Sequence, residues 1–316
     1  MLLQNILLFA LAGFFLVISG IYLVKSLERI SKFLRISEFT AAFILMAFAT
    51  SLPELLVGIN SAIQGSPAIS MGNVIGASIL DLTLITGLFI LLSRGIKFKT
   101  KKVGSEIYFM FASIVLLLIL YLVGNSLSRI DGIILVGLFG INSYRIFKKR
   151  EDYPSEIKDT SKRYQGVLFT AIFIGSLLLL FFASAAAVKY AKLIAIDFNF
   201  SELIVGIFLV SIATTLPELI FGINAVLKKH PEMAIGNQTG TIFTNIALIL
   251  GVVAIIHPIT VAQMPFFISG LFMLLSAFLF VVFIQSERKI DIFEGISLIF
   301  LYLFFIILQF FAIPRI

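Results

Sequence analysis

Apolar runs of roughly 20 residues recur along almost the whole chain, separated by short polar or basic stretches. Each is long enough to cross a hydrocarbon core of about 30 Å as a helix. Strand-like alternation is missing, and a helix satisfies its own backbone in lipid, so the runs predict helices. Ten are expected, at about 5–27, 38–64, 69–93, 105–124, 130–148, 166–189, 202–227, 233–256, 262–284 and 292–313. The first has no basic n-region and no evident small-residue cleavage site, so it is expected to be a retained helix rather than a signal peptide. The pattern predicts an all-α polytopic membrane protein.

The pattern also repeats. Ala47 to Asn60 read AFATSLPELLVGIN and Ser211 to Asn224 read SIATTLPELIFGIN, nine of fourteen positions being identical at an offset of 164. At the same offset Pro67 matches Pro231, Gly72-Asn73 matches Gly236-Asn237, Gly76 matches Gly240, and Leu84, Ile85 and Gly87 match Leu248, Ile249 and Gly251. Each half then holds five spans. Because five is odd, the second half starts on the opposite side of the membrane, so two inverted five-helix repeats are expected, with a site near the midplane between them. The expected division is 1–148 for the first repeat, 149–165 for a polar linker and 166–316 for the second repeat.

Composition fits this picture: 60% of the 316 residues are hydrophobic and 13% are charged. The net charge of +7 taken alone suits a nucleic-acid partner, but its distribution argues otherwise. If the chain weaves ten times, 20 of the 24 Lys and Arg fall on one face, in the stretches 25–35, 94–102, 145–163, 228–229 and 288–289. Arg129, Lys189, Lys192 and Arg315 fall on the other. The positive-inside rule makes the rich face cytoplasmic. The linker is then cytoplasmic, both termini are extracellular, and the expected location is the cell membrane. The partners expected are the lipid bilayer and inorganic cations, with no nucleic acid; the oligomeric state is left open, a monomer being sufficient. There is no cysteine, which removes disulfides and thiolate metal sites.

A carboxylate at membrane depth is costly and marks a functional site by default. In the second span Ala47, Thr50, Ser51 and Glu54 fall on one helical stripe, and Pro53 lacks an N–H and frees the carbonyl of Ala49. The seventh span repeats this with Ser211, Thr214, Thr215, Glu218 and Pro217. The third and eighth spans read GNVIGASILD and GNQTGTIFTN. Their glycine pairs allow close helix approach, which would bring Asp81 and Asn245, with Thr241, toward the glutamates. Three carboxylates, hydroxyls, amide oxygens and bare carbonyls suit hard cations such as Ca2+ or Na+ rather than zinc or copper. One site able to hold either load in turn is what an antiporter requires. No HExxH or GxSxG occurs, so no enzyme and no cofactor are expected. A cation channel is the reading from another class, disfavoured by the repeat. Glu28, Asp131, Asp291 and Glu294 lie near span ends and are expected to be interfacial.

At these residues the chain resembles the cation/Ca2+ antiporter superfamily, in its prokaryotic sodium/calcium exchanger branch. The resemblance spans both motifs of both halves. It implies Glu54 and Glu218 as central ligands, with oxygens from Thr50, Ser51, Thr214 and Thr215, backbone carbonyls of Ala47 and Ser211, and Asp81 and Asn245 at the acid/amide positions. It further implies exchange of Ca2+ for Na+, with H+ or K+ as alternative counter-ions, and sliding of spans one and six. Three departures stand out. Ala49 and Ala213 replace the family's glycine, Ala77 replaces a serine, and Asp81 with Asn245 reverses the usual order of amide and acid. Gln238-Thr239 in place of an apolar pair has no explanation at this level.

Overall fold

A computed structural model describes residues 2–33, 50–97, 103–148, 163–229, 231–285 and 289–312. These form ten helical rods. They are α1 (Leu2–Phe33), α2 (Leu52–Ile63), α3 (Pro67–Ser93), α4 (Val103–Gly124), α5 (Arg129–Lys148), α6 (Arg163–Phe198) and α7 (Glu202–Leu227). Then come α8 (Pro231–Thr244, continued by Asn245–Ile249 and Leu250–Ile256), α9 (Gln263–Gln285) and α10 (Ile292–Ala312). Eight of the helices among the described residues are long and apolar enough to cross a membrane. The beginning of the expected second span, with Ala47, lies outside the described residues, as do 149–162 of the linker.

Three boundaries differ from the sequence reading. α1 runs to Phe33, six residues past its expected limit of 27. Residues 163–165, assigned to the linker, already form the first turn of α6. At its other end α6 continues nine residues past the expected limit, to Phe198. Lys189 and Lys192 interrupt the apolar run but not the helix; Lys189 is exposed and Lys192 half-buried, and a long lysine side chain is compatible with a helix surface. Asn199, at φ +56°, ends it.

Three stretches depart from α geometry by one wider, π-type turn: Asp81–Ile85 in α3, Gly206–Val210 in α7 and Asn245–Ile249 in α8. The first and third start on the acid/amide pair of the two halves, at the same offset of 164. Such turns add a residue without ending the helix and cluster at functional sites.

The connections meet in two sets. Ile96–Lys97 pairs antiparallel with Lys289–Ile290, joining the α3–α4 connection to the α9–α10 connection. A single bridge, Leu127 to Ile259, joins the α4–α5 turn to the α8–α9 loop. Asp131 caps α5 through the backbone N–H and hydroxyl of Ser128, at 2.8 and 2.6 Å. Asp291 and Glu294 form a reciprocal box at the start of α10, each backbone N–H donating to the other's carboxylate at 2.8 and 2.9 Å. These three acidic residues therefore have a structural task, in keeping with their interfacial reading.

The apolar core is divided. One large cluster fills the bundle of α3, α4, α5, α8, α9 and α10. A smaller one joins α1 and α6, through Leu16, Leu23, Leu180 and Val188, to Leu52 and Val57 of α2 and Val205 and Val210 of α7. Gly20 of α1 lies against both motif prolines; a Cβ there would stand 2.9 Å from Pro217 and 3.4 Å from Pro53.

The candidate ion site

Two of the four motif helices, α3 and α7, meet at glycine. A Cβ built on Gly72 would lie 2.1 Å from the carbonyl oxygen of Leu203, and one on Gly76 would lie 2.3 Å from that of Ile207. From the other side, a Cβ on Gly206 would lie 2.4 Å from the carbonyl oxygen of Ile69. Only hydrogen atoms fit in this seam, so α3 and α7 cross with their backbones in contact. The crossing brings the polar stripe of α7 beside the asparagine and aspartate of α3.

The proline of each motif acts differently in its helix. In α2 it falls in the first turn of the described helix, where its missing N–H costs nothing, and Leu55 N–H closes on Ser51 O at 2.9 Å. In α7 it lies inside the helix. There the hydroxyls of Thr214 and Thr215 both donate to Ser211 O, the former at 3.2 Å. The Ser211 carbonyl thus faces hydroxyl donors and must exchange them to bind a cation.

The sequence-nominated residues converge. Glu54, Asp81, Asn245, Thr50, Thr214 and Thr241 are each 0% exposed, and Ser51, Thr215, Glu218 and Ser211 are each 1% exposed. Thr50 of α2 meets Thr241 of α8, hydroxyl to hydroxyl, at 3.3 Å. Thr214 of α7 donates to Asn73 Oδ1 of α3 at 2.9 Å. The glutamates face across the two halves: the Thr214 hydroxyl approaches the Glu54 carboxylate, and the Thr50 hydroxyl approaches that of Glu218. Glu218 lies in the field of both Glu54 and Asp81. Ala77 offers no hydroxyl, and adjacent Ser78 turns back to donate to Val74 O at 2.7 Å.

Both carboxylate oxygens of Glu54, Asp81 and Glu218, and both polar side-chain atoms of Asn245, lack a hydrogen-bond partner among the described residues. No Lys or Arg among those residues neutralises them. Buried charge of this kind costs several kcal/mol per group unless a counter-charge or dipoles compensate it. Among the described residues, no three acidic or imidazole side chains close into a single metal cage. The oxygens gathered here are carboxylate, hydroxyl and amide, a donor set that suits hard cations.

The comparisons with known proteins place the chain by family and by fold. The family model described as sodium/calcium exchanger protein matches residues 4–148 and again 168–311. The chain belongs to that family. The two matched segments start 164 residues apart (168 − 4), the offset of the motifs. The chain is 28% identical to the sodium/calcium exchanger MaX1 of Methanosarcina acetivorans, over 98% of this chain and 100% of that one. It is 30% identical to the inner membrane protein YrbG of Escherichia coli, over 67% of this chain and 68% of that one. Its fold matches the sodium-calcium exchanger NCX_Mj, solved after soaking with Na+ and Sr2+, with a TM-score of 0.69 and 25% identity. That match covers 97% of this chain and 99% of the other. The chain is thus a multi-pass membrane protein of a family of cation exchangers.

Two residues at the site escaped assignment from sequence. Gln238 and Thr86 are 1% and 0% exposed and both bond to the main chain of Asp81. The signal for Gln238 was its polarity inside an apolar run. Thr86 gave none.

Proposed function

We propose that this chain is a secondary active antiporter that exchanges Ca2+ for Na+ across the cell membrane by alternating access. The observation that carries this reading is the set of unpartnered, fully buried carboxylates on three helices drawn from both halves, with the unpartnered amide of Asn245 on a fourth. A fixed oxygen cluster of limited charge can be filled by one divalent ion or by monovalent ions, but not by both at once. Glu54 and Glu218 bind both loads, with Thr50, Ser51, Thr214, Thr215 and Thr241 supplying hydroxyls. Asp81 and Asn245 flank them, and the carbonyls of Ala47 and Ser211 complete the set. The two halves lie in opposite orientations, a reading supported by the meeting of the α3–α4 connection with α9–α10 and of α4–α5 with α8–α9. The basic connections face the cytoplasm, together with the central linker, and both termini face out. Residues 1–148 and 166–316 act as the two repeats. The division of the core supports α1 and α6 as the moving pair, with Gly20 riding over the two prolines.

The test is uptake of radiolabelled Ca2+ into proteoliposomes under an imposed Na+ gradient, with H+ and K+ gradients run in parallel. Uptake driven by the Na+ gradient and by neither of the others is expected. Uptake that follows only the H+ gradient would assign the counter-ion to H+. Uptake without any gradient coupling would indicate a channel.

A further inference from the structure

The two halves match closely, yet three of their departures meet at one place. Asp81 O accepts the N–H of Thr86 through the wide turn, the Thr86 hydroxyl at 2.6 Å and Nε2 of Gln238 at 3.2 Å. The single proton of the Thr86 hydroxyl is shared with Oε1 of Gln238, 2.7 Å away. At the offset of 164 the counterparts of Asp81, Thr86 and Gln238 are Asn245, Leu250 and Val74. Leu250 and Val74 have no side-chain donor, so nothing equivalent can form at Asn245. One half carries the acid and a two-residue clamp on it, and the clamp is built from both halves.

We propose that Gln238, seconded by Thr86, is a specificity-determining positioning residue of the ion site. Its amide NH2 presents the positive end of a dipole to the main-chain oxygen of Asp81. That is an oxygen a monovalent cation would otherwise collect there. A carbonyl has two lone pairs, and Asp81 O already faces three donors. The Asp81 carbonyl is thereby closed to a monovalent ion, and the wide turn does not nucleate a monovalent site of its own. The inference rests on the proposed cation exchange, but its test does not need transport.

The experiment is equilibrium competition between Na+ and Ca2+ on purified protein, comparing wild type, Gln238→Val and Thr86→Val. Valine already occupies the equivalent position at Val74, so the helix accepts it. The Na+ concentration that displaces half of the Ca2+ is expected to fall about tenfold in Gln238→Val, the worth of about one hydrogen bond. A smaller fall is expected in Thr86→Val, and Ca2+ affinity without Na+ should stay within about twofold in both, as a dipole weakly couples to the neighbouring ligands. In an Asp81→Asn background the Gln238→Val effect should persist, because the clamp acts on the main-chain oxygen, which that substitution leaves in place. Ca2+ and Na+ affinities falling together, or an unchanged Na+ midpoint, would overturn the inference, as would an effect that vanishes in Asp81→Asn. If these shifts appear while the flux assay shows no Na+ coupling, the exchange reading fails and the role of Gln238 stands.

Discussion

Replacing Gly76 by alanine tests whether the glycine seam sets the geometry of the ion site. The added Cβ would lie 2.3 Å from the carbonyl oxygen of Ile207, and Cβ contacts below 3.0 Å do not occur. The obstacle is backbone, so no rotamer relieves it, and α3 and α7 must part locally by at least 0.7 Å (3.0 − 2.3). Passed on to the next turn, that shift takes the 2.9 Å bond between Thr214 and Asn73 to about 3.6 Å, where no hydrogen bond remains. Overpacking costs about 1–3 kcal/mol, and the lost bond about 1 kcal/mol more. Ligands displaced by that much are expected to lower Ca2+ affinity about 10- to 100-fold. The assay is half-saturation of Ca2+ uptake together with the melting temperature of purified protein. Gly137→Ala is the control, because a Cβ there meets nothing within 4 Å; it should behave as wild type. Gly76→Ala with wild-type melting and wild-type half-saturation would refute the argument.

Glu54→Gln and Glu218→Gln should each lower Ca2+ affinity about 100-fold or more, as loss of one partner from a buried charged site costs about 3–5 kcal/mol. Neither should lower the melting temperature measured without Ca2+, since each removes an uncompensated buried charge; calorimetry and tracer flux check the two halves of this statement. Glu106→Gln removes the 2.8 Å ion pair with Arg145, whose guanidinium also lies 3.9 Å from the ring centre of Phe109. The cation–π contact survives, so a loss of about 1 kcal/mol or less is expected, seen as a small drop in melting temperature with Ca2+ half-saturation unchanged.

Much of this was legible in the sequence because it is written in local periods and one long offset. Runs of lipid-crossing length gave the helices, and the offset of 164 tied Glu54 to Glu218 and Asp81 to Asn245 before any coordinates. What the sequence hid follows from how the information is stored. A wide turn adds one residue to a helix and carries no composition of its own, so Asp81–Ile85 and Asn245–Ile249 read as ordinary apolar helix. The partners of Gln238 lie 152 and 157 residues away, beyond any local pattern. The close approach at Gly72 and Gly76 was foreseen, but its partner was not. The helix that fills the seam is α7, at Leu203, Gly206 and Ile207, ahead of the conspicuous motif.

The paired wide turns also carry a record of descent. A wide turn arises when one residue is added to a helix that keeps its course on either side. Two such additions, made independently in two halves, would have no reason to fall 164 residues apart and to begin on corresponding acid and amide residues. A single addition before the ancestral half was doubled gives both at once. On that chronology the distortion of the helix is older than the two-part transporter. The acid at Asp81, the amide at Asn245 and the clamp from Gln238 are later edits, made after the copies were free to diverge.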